Sequence, residues 1–437
     1  MKLIFFCVIL FFSNNNLESK LFDAKQFKLK NGLQVVVIEN SRAPVVSQMI
    51  WYNVGSIDEE YGKSGLAHFL EHLMFKGTKN YPSGYYSKYI SKNGGTENAF
   101  TSFDYTAYYQ IVPSENLEKI VELEADRMTN LTLTEEQVET EKKVILEERY
   151  QRIDSKPSAI LDESIRKSLF PNHTYGTPII GWEHEIKRLS KNDVRKFYNN
   201  YYNPKNAILI FSGDVSLEKA KKYSEKYFGK IEVKNNISDD RIQLNDPILR
   251  TNIQINYDDE NVKQKIWKRS FKTNSYKDSI KNGIALDLGL KILTGGSTSI
   301  LYRELVEKKK LVSSVGGYYQ GMSRDKATVN FYAIPNENVK IPYLEKQIYE
   351  IMKKSIADGI TEERFNLQKK KYEHESIYLR DSIFQPAQII GEALSIGIEL
   401  DEIESWNEIL NEISVDDVKN QLKKFIKNKN YVTGLLG

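Results

Sequence analysis

Apolar residues recur at a helical period between residues 66 and 74. Leu66, Phe69, Leu70, Leu73 and Met74 fall at i, i+3, i+4, i+7 and i+8, which is one apolar stripe. His68, Glu71, His72 and Phe75 form a second stripe beside it, with Ser64 placed to cap the start and Gly77 to close the end. Before this helix, residues 32–40 (GLQVVVIEN) and 48–54 read as strands. After it, residues 82–92 read as a helix ended by Asn93-Gly94-Gly95, and residues 98–112, rich in Thr, Tyr and Phe, as a pair of strands. Thr134 with Gln137 three residues on is a capping box, which opens a helix running to about Gln151. On that helix Val138, Glu141, Ile145 and Glu148 share one stripe.

The pattern also repeats. A helix beginning at Ser190-Lys191-Asn192-Asp193-Val194 leads to the apolar run Asn206 to Gly213, and one beginning at Ser414-Val415-Asp416-Asp417-Val418 leads to Asn430 to Gly437. The two stretches are ungapped relative to one another at an offset of 224 residues, half the chain. The expected fold class is therefore α+β, two duplicated domains, each a mostly antiparallel sheet with helices packed on it. The expected divisions are residues 21–233, a polar linker at 234–252 and residues 253–437.

Composition changes this picture in few places. The chain has 437 residues, 40% hydrophobic and 28% charged, so it has material for a substantial core. Lys and Arg number 62 against 59 Asp and Glu, a balance that argues against nucleic acid as a partner. The beginning is different: Met1-Lys2 is basic, Leu3 to Phe12 is an unbroken apolar run of ten, and Ser13 to Asn16 turns polar. Ten residues cannot span a ~30 Å hydrocarbon core as a helix, but they suit the apolar stretch of a secretory signal, so residues 1–20 are expected to be a signal peptide. Cys7, the one cysteine, lies in it, and cleavage there would instead make a lipoprotein. An exported, soluble chain, in a bacterial periplasm, is expected, with no disulfide once the signal is removed.

Chemistry concentrates on the first helix. Two of the five histidines in the chain sit there one turn apart, with a carboxylate between them. Neutral imidazoles at i and i+4 reach one zinc ion, and the carboxylate can take a proton from its water. The order H-x-x-E-H is the inverted zincin arrangement. A catalytic zinc site wants a third protein ligand and an open position. Glu141 and Glu148 both stand on an otherwise apolar stripe, where a carboxylate needs a partner, and spacing alone does not rank them. The second half offers no such set. Its single histidine, His374, lies in a Lys- and Glu-rich helix, and Gly295-Gly296-Ser297-Thr298-Ser299, leading into residues 300–311, stands where a metal helix is expected. That loop lacks the spacing and Lys of a phosphate-binding loop.

The run His68-Phe69-Leu70-Glu71-His72-Leu73-Met74-Phe75-Lys76-Gly77-Thr78 resembles the signature of the pitrilysin-type zinc metallopeptidases, in the branch of mitochondrial processing peptidase and its bacterial homologues. Asn98-Ala99-Phe100-Thr101-Ser102, Tyr108-Tyr109, residues 144–148, residues 201–206 and Gly213-Asp214-Val215 match the same pattern in order, and the resemblance runs from about Leu21 to the end. It implies Glu71 as general base, zinc on His68, His72 and Glu148, and Glu141 as a supporting acid behind the ligands. It also implies that Asn98, Ala99, Phe100 and Thr101 pair with an extended peptide substrate, and that the two halves close as a clamshell around a chamber. An Arg and Tyr that hold the substrate carbonyl in relatives have Tyr318, Tyr319, Arg324 and Tyr332 as neighbouring candidates here, and the family's Ser-Ser-Arg-Leu reads Thr298-Ser299-Ile300-Leu301. The expectation is a zinc endopeptidase for unstructured peptides, working as a homodimer or with a metal-free chain of the same fold. The alternative is a non-catalytic or weakly active subunit of a heterodimeric peptidase.

Overall fold

A computed structural model describes residues 20–233 and 244–437. The expected signal segment, Cys7 and the first part of the expected linker lie outside the described residues. The first half begins with β1 (Lys25–Lys28), β2 (Gln34–Glu39) and β3 (Val45–Tyr52), followed by α1 (Leu66–Leu73) and α2 (Tyr85–Lys92). Then come β4 (Thr96–Thr101), β5 (Thr106–Pro113), α3 (Leu117–Asn130), α4 (Glu135–Arg149) and α5 (Pro157–Leu169). It closes with α6 (Glu183–Ile186), α7 (Lys191–Tyr201), β6 (Ala207–Gly213) and α8 (Leu217–Tyr227).

The second half repeats the plan with β7 (Ile253–Tyr257), β8 (Ile266–Thr273), α9 (Ile280–Thr294), α10 (Ile300–Tyr302), β9 (Val312–Gln320), β10 (Ala327–Pro335) and α11 (Ile341–Lys354). It continues through α12 (Glu362–Asp381), α13 (Gln385–Ser395), α14 (Leu400–Glu404), α15 (Trp406–Glu412), α16 (Val415–Ile426) and β11 (Tyr431–Leu436).

The duplication is visible in the sheets. The first has the order β1-β2-β6-β3-β5-β4 and the second β7-β11-β8-β10-β9. In each, one pair is parallel, β2 with β6 and β7 with β11, and the other neighbours are antiparallel. Both repeated helices start with the same device: Ser190 and Asp193 form a reciprocal capping box on α7, and Ser414 and Asp417 one on α16.

The strand expected from residue 48 begins three residues earlier, because Val45 and Val46 already pair across to Pro113 and Val112. The counterpart of the metal helix also differs from expectation. It is α9, which follows β8 as α1 follows β3, and not residues 300–311. Most of α9 is buried and it carries no histidine.

Each half lends a helix to the other. α5 packs on β11, β7 and β8 of the second sheet, and α13 packs on β6 and β3 of the first. Small residues mark both crossings. A Cβ on Gly391 of α13 would overlap the ring of fully buried Trp51, and a Cβ on Gly434 of β11 would meet Ile165 of α5. One apolar cluster therefore spans the halves, with Met49, Trp51, Ile208 and Ile210 against Ala387, Ile390 and Ala393.

Buried polar contacts join the halves as well. Tyr175 Oη donates to Asp104 at 2.7 and 2.8 Å, Ser323 Oγ donates to Tyr175 Oη at 3.1 Å, and the Arg324 N–H donates to Asp104 at 3.2 Å. Asp246, in the described part of the expected linker, accepts from the N–H groups of Asn172 and His173 and from Lys272 Nζ at 2.8–2.9 Å. It thus ties itself to both halves. At the start of the described chain, Glu404 accepts the N–H groups of Phe22 and Ala24 at 2.8 and 2.7 Å.

Candidate metal centre

α1 buries Leu66, Phe69, Leu70 and Leu73 against the first sheet, which turns His68, Glu71 and His72 toward α4 and β4. Its start is held differently from expectation. Gly65 takes the N-cap position at φ 86°, and Ser64 Oγ accepts the Trp182 N–H at 2.8 Å. The cap is Glu59, whose two oxygens accept the N–H groups of Gly65 and Ala67 at 3.0 and 2.8 Å. A carboxylate reaching back to the first turn satisfies two of its orphan donors and complements the helix dipole.

α4 brings its acidic stripe alongside. Glu148 Oε2 lies 3.6 Å from His68 Nε2 and 3.4 Å from His72 Nε2. One nitrogen or oxygen from each of the three residues falls within a 4.8 Å group. Zinc held at ~2.0–2.2 Å by nitrogen and oxygen sets its ligand atoms roughly 3.4 Å apart, so these separations fit a tetrahedral ion. The buried Glu148 Oε2 has no hydrogen-bond partner, as an oxygen reserved for a metal would not. Burial pulls the His68 imidazole down to about 4, which keeps it in the neutral form that binds metal.

Around this set the supporting contacts are short. Glu141 Oε1 lies 2.9 Å from His72 Nδ1, and Lys76 Nζ is 2.5 Å from Glu141 Oε2. Burial lowers the proton affinity of His72, but the hydrogen bond to Glu141 and the nearby negative charge of Glu148 outweigh it and raise the ring to about 9. Burial works against ionised Glu141, and its bonds to His72 and Lys76 win, leaving it below the usual carboxylate range. Arg152 Nε holds the other oxygen of Glu148 at 3.0 Å. α4 stops at Arg149, and the chain runs on as one π-turn over residues 150–154, so Glu148 stands at a change of helical pitch.

Glu71 is 8% exposed. Thr101 Oγ1 donates to its Oε2 at 2.5 Å. Burial raises the Glu71 carboxyl above its usual range, partly offset by that hydrogen bond. Thr101 ends β4, the edge strand of the sheet, so residues Asn98 to Thr101 present one side of their backbone beyond the last ladder.

Spacing on α1 and α4 puts His68, His72, Glu141 and Glu148 on stripes that meet here, without ranking the two carboxylates. It did not assign Arg152, which stands four residues beyond Glu148, a readable signal, or Lys76, whose partner Glu141 lies 65 residues away in the chain. Thr101 to Glu71 and Glu59 to the α1 amides are tertiary contacts without a local signal. Of the Arg and Tyr candidates in the second half, Tyr319 Oη donates to the Asn274 carbonyl, Arg324 binds Asp104 through its backbone, and the Tyr332 ring covers Gly316. Tyr318 is half exposed. Among the described residues, none of the four bonds to His68, Glu71, His72 or Glu148.

Residues 34–183 match the family described as Insulinase (Peptidase family M16), and residues 188–372 match Peptidase M16 inactive domain. The zinc protease PqqE of Helicobacter pylori is 34% identical over 335 residues, covering 76% of this chain and 75% of that protein. The uncharacterized zinc protease YmxG of Bacillus subtilis is 25% identical over 424 residues, 94% of this chain and 98% of that one. The beta subunit of mitochondrial-processing peptidase of Blastocladiella emersonii is 31% identical over 204 residues, 47% of this chain and 44% of that one. Among solved structures, a protease from Helicobacter pylori superposes with a TM-score of 0.88 at 30% identity, covering 94% of this chain and 99% of that one. The periplasmic protease PqqL of Escherichia coli superposes with a TM-score of 0.78 at 17% identity, covering 95% of this chain and 47% of that one, and at that identity shows the fold alone.

Proposed function

Because the chain belongs to peptidase family M16, we propose that it is a zinc-dependent endopeptidase that hydrolyses unstructured peptides. His68, His72 and Glu148 hold the metal, Glu141 fixes the His72 ring, and Glu71 is the general base. The observation that carries this reading is the buried, unpartnered Glu148 Oε2 between two imidazole nitrogens.

When bound, zinc supplies a Lewis acid that acidifies water and polarises a scissile carbonyl. The remaining steps belong to side chains of this protein. Glu71 takes the proton of the attacking water and passes it to the leaving amine, a task suited to a carboxylate whose proton affinity burial has raised. Thr101 keeps that carboxylate in one orientation. The free edge of β4, through Asn98, Ala99, Phe100 and Thr101, takes the peptide as an added strand, which explains a preference for extended substrates. No side chain forms a covalent intermediate.

In this reading residues 21–233 form the catalytic half, 234–252 the connection and 253–437 the half that holds substrate. Export is proposed on the apolar run Leu3 to Phe12. No helix among the described residues is long and apolar enough to cross a membrane. A second chain of the same fold, identical or metal-free, completes the closed chamber, and light scattering of the purified chain should show a dimer.

The central test is Glu71→Gln. It should keep about one zinc per chain, because Glu71 is not a ligand, and lose peptide hydrolysis by at least the ~10²–10⁴-fold of a missing acid–base group. His68→Ala should lose the metal itself, measured by elemental analysis. An active Glu71→Gln enzyme would sink the mechanism.

A further inference from the structure

Arg149 follows Glu148 in the chain and is 5% exposed. Its guanidinium forks onto Glu163 of α5, with Nη1 donating to Oε1 at 2.9 Å and Nη2 to Oε2 at 3.1 Å. Nη1 also donates to the Gly181 carbonyl at 2.8 Å, and Nη2 lies 3.2 Å from Asp154 Oδ1, in the π-turn that follows α4. A two-pronged contact of this kind fixes orientation as well as distance. No step of peptide hydrolysis uses Arg149.

Its partners lead to different walls of the metal centre. Gly181 backs onto Gly65, from which α1 starts: the two have φ of 90° and 86°, and a Cβ on Gly181 would lie 2.7 Å from Gly65 Cα. The next residue, Trp182, donates its N–H to Ser64 Oγ. Arg149 therefore ties the end of α4, with Glu148, to the start of α1, with His68 and His72. Glu163 leads the other way. It belongs to α5, whose Leu161 and Ile165 pack with Val432 and Leu436 of β11. On the same helix Ser158 Oγ and both oxygens of Asp162 accept from Lys268 Nζ of β8 at 2.7 Å. Lys268, α5, Glu163, Arg149 and Glu148 thus form an unbroken path from the second sheet to the third ligand.

We infer that Arg149 is a positioning residue for the metal ligands, and that through it metal affinity depends on how the second half is seated on α5. Arg152 holds the free oxygen of Glu148, but it belongs to the same stretch of chain and cannot fix that stretch against α1. Arg149 reaches both. Zinc is bound tightly only where three ligand atoms already stand at tetrahedral spacing, and groups behind the ligands set that spacing. The inference rests on the reading of His68, His72 and Glu148 as zinc ligands.

Zinc affinity of the full chain, measured against a chelator, tests it together with the visible spectrum of the cobalt-loaded protein, which reports ligand geometry. Arg149→Lys keeps the charge but not the fork. It should weaken zinc binding about 10–100-fold and alter the cobalt spectrum. Glu163→Gln should act in the same direction, and the two changes together should lose less than the sum of their separate effects, because they break one contact. Lys268→Met should weaken zinc binding roughly 2–30-fold, the range for coupling through a packed path. Glu118→Gln, which breaks an exposed pair with Lys226, should leave affinity and spectrum unchanged. Should Arg149→Lys fail to fold, Glu163→Gln carries the same test. Wild-type affinity and spectrum in Arg149→Lys, whatever its stability, overturn the positioning role. Wild-type affinity in Lys268→Met overturns the dependence on the second half. Where the wild type binds zinc and Glu148→Gln does not, those failures fall on the inference alone; a wild-type chain that binds no zinc overturns the zinc reading and the inference with it.

Discussion

Glu141 and Glu148 lie two turns apart on one stripe of α4, yet α1 meets them with different atoms. Glu148 reaches the Nε2 atoms of both histidines, whereas Glu141 reaches only His72 Nδ1 and is balanced by Lys76. Glu148→Gln should therefore abolish stable zinc binding. Glu141→Gln should weaken it roughly 10–100-fold, the range for partners behind the ligands. Competition with a chelator of known affinity measures both, and the opposite ranking would exchange the two roles. Thr101 gives a separate prediction. Thr101→Val should leave zinc content unchanged and lower kcat roughly tenfold, the worth of one hydrogen bond to a charged group, with Thr101→Ser restoring it. The stripes and their spacing were legible because helical period is a local property. The choice between Glu141 and Glu148 needed the family resemblance, since it depends on how two helices lie against each other. The hydroxyl on Glu71 was hidden for a similar reason, as thirty residues and a turn of the sheet separate the pair.

At the level of elements, the two helices of the centre, the repeated helix–strand units and the duplication could be read in advance, because period, caps and a fixed offset are all written along the chain. What covers each apolar face could not. No local pattern says that α5 and α13 each rest on the sheet of the other half. The start of α1 shows the same limit. Ser64 has the right identity for a cap, but a carboxylate from Glu59 arrives first and Ser64 serves Trp182 instead. The exchange of helices makes Gly391 the most sensitive point of the contact. Gly391→Ala forces a methyl group into the Trp51 ring and should cost ~1–3 kcal/mol by overpacking. Urea unfolding of the variant measures it. An unchanged midpoint would mean that α13 does not rest on Trp51.

For the whole molecule, the connection between the halves is an attached part of the structure, at least from residue 244 onward. The side chain of Asp246 is 5% exposed, and burial works against its ionised form, but bonds from Lys272, His173 and Asn172 prevail and hold it below its usual value. A carboxyl depressed in the folded state adds stability above its unfolded pKa of about 3.9 and loses it as pH falls through the lower folded value. Asp246→Asn should cost about 1–3 kcal/mol at neutral pH and flatten the loss of stability below pH ~4, seen by comparing urea unfolding at the two pH values. The exchanged helices have a further consequence, for the order of events at the ribosome. When β6 has emerged, the first sheet has all its strands but not the helix that covers Met49, Trp51, Ile208 and Ile210, and α5 has no sheet to lie on. The missing helix ends at Ser395. At ~5–20 residues per second, the remaining stretch takes roughly 10–40 s to synthesise. The nascent first half must spend that interval with an open apolar face, a natural client for a holding chaperone. A chain stopped after residue 233 should stay in that state and bind an apolar dye, where the full chain binds none.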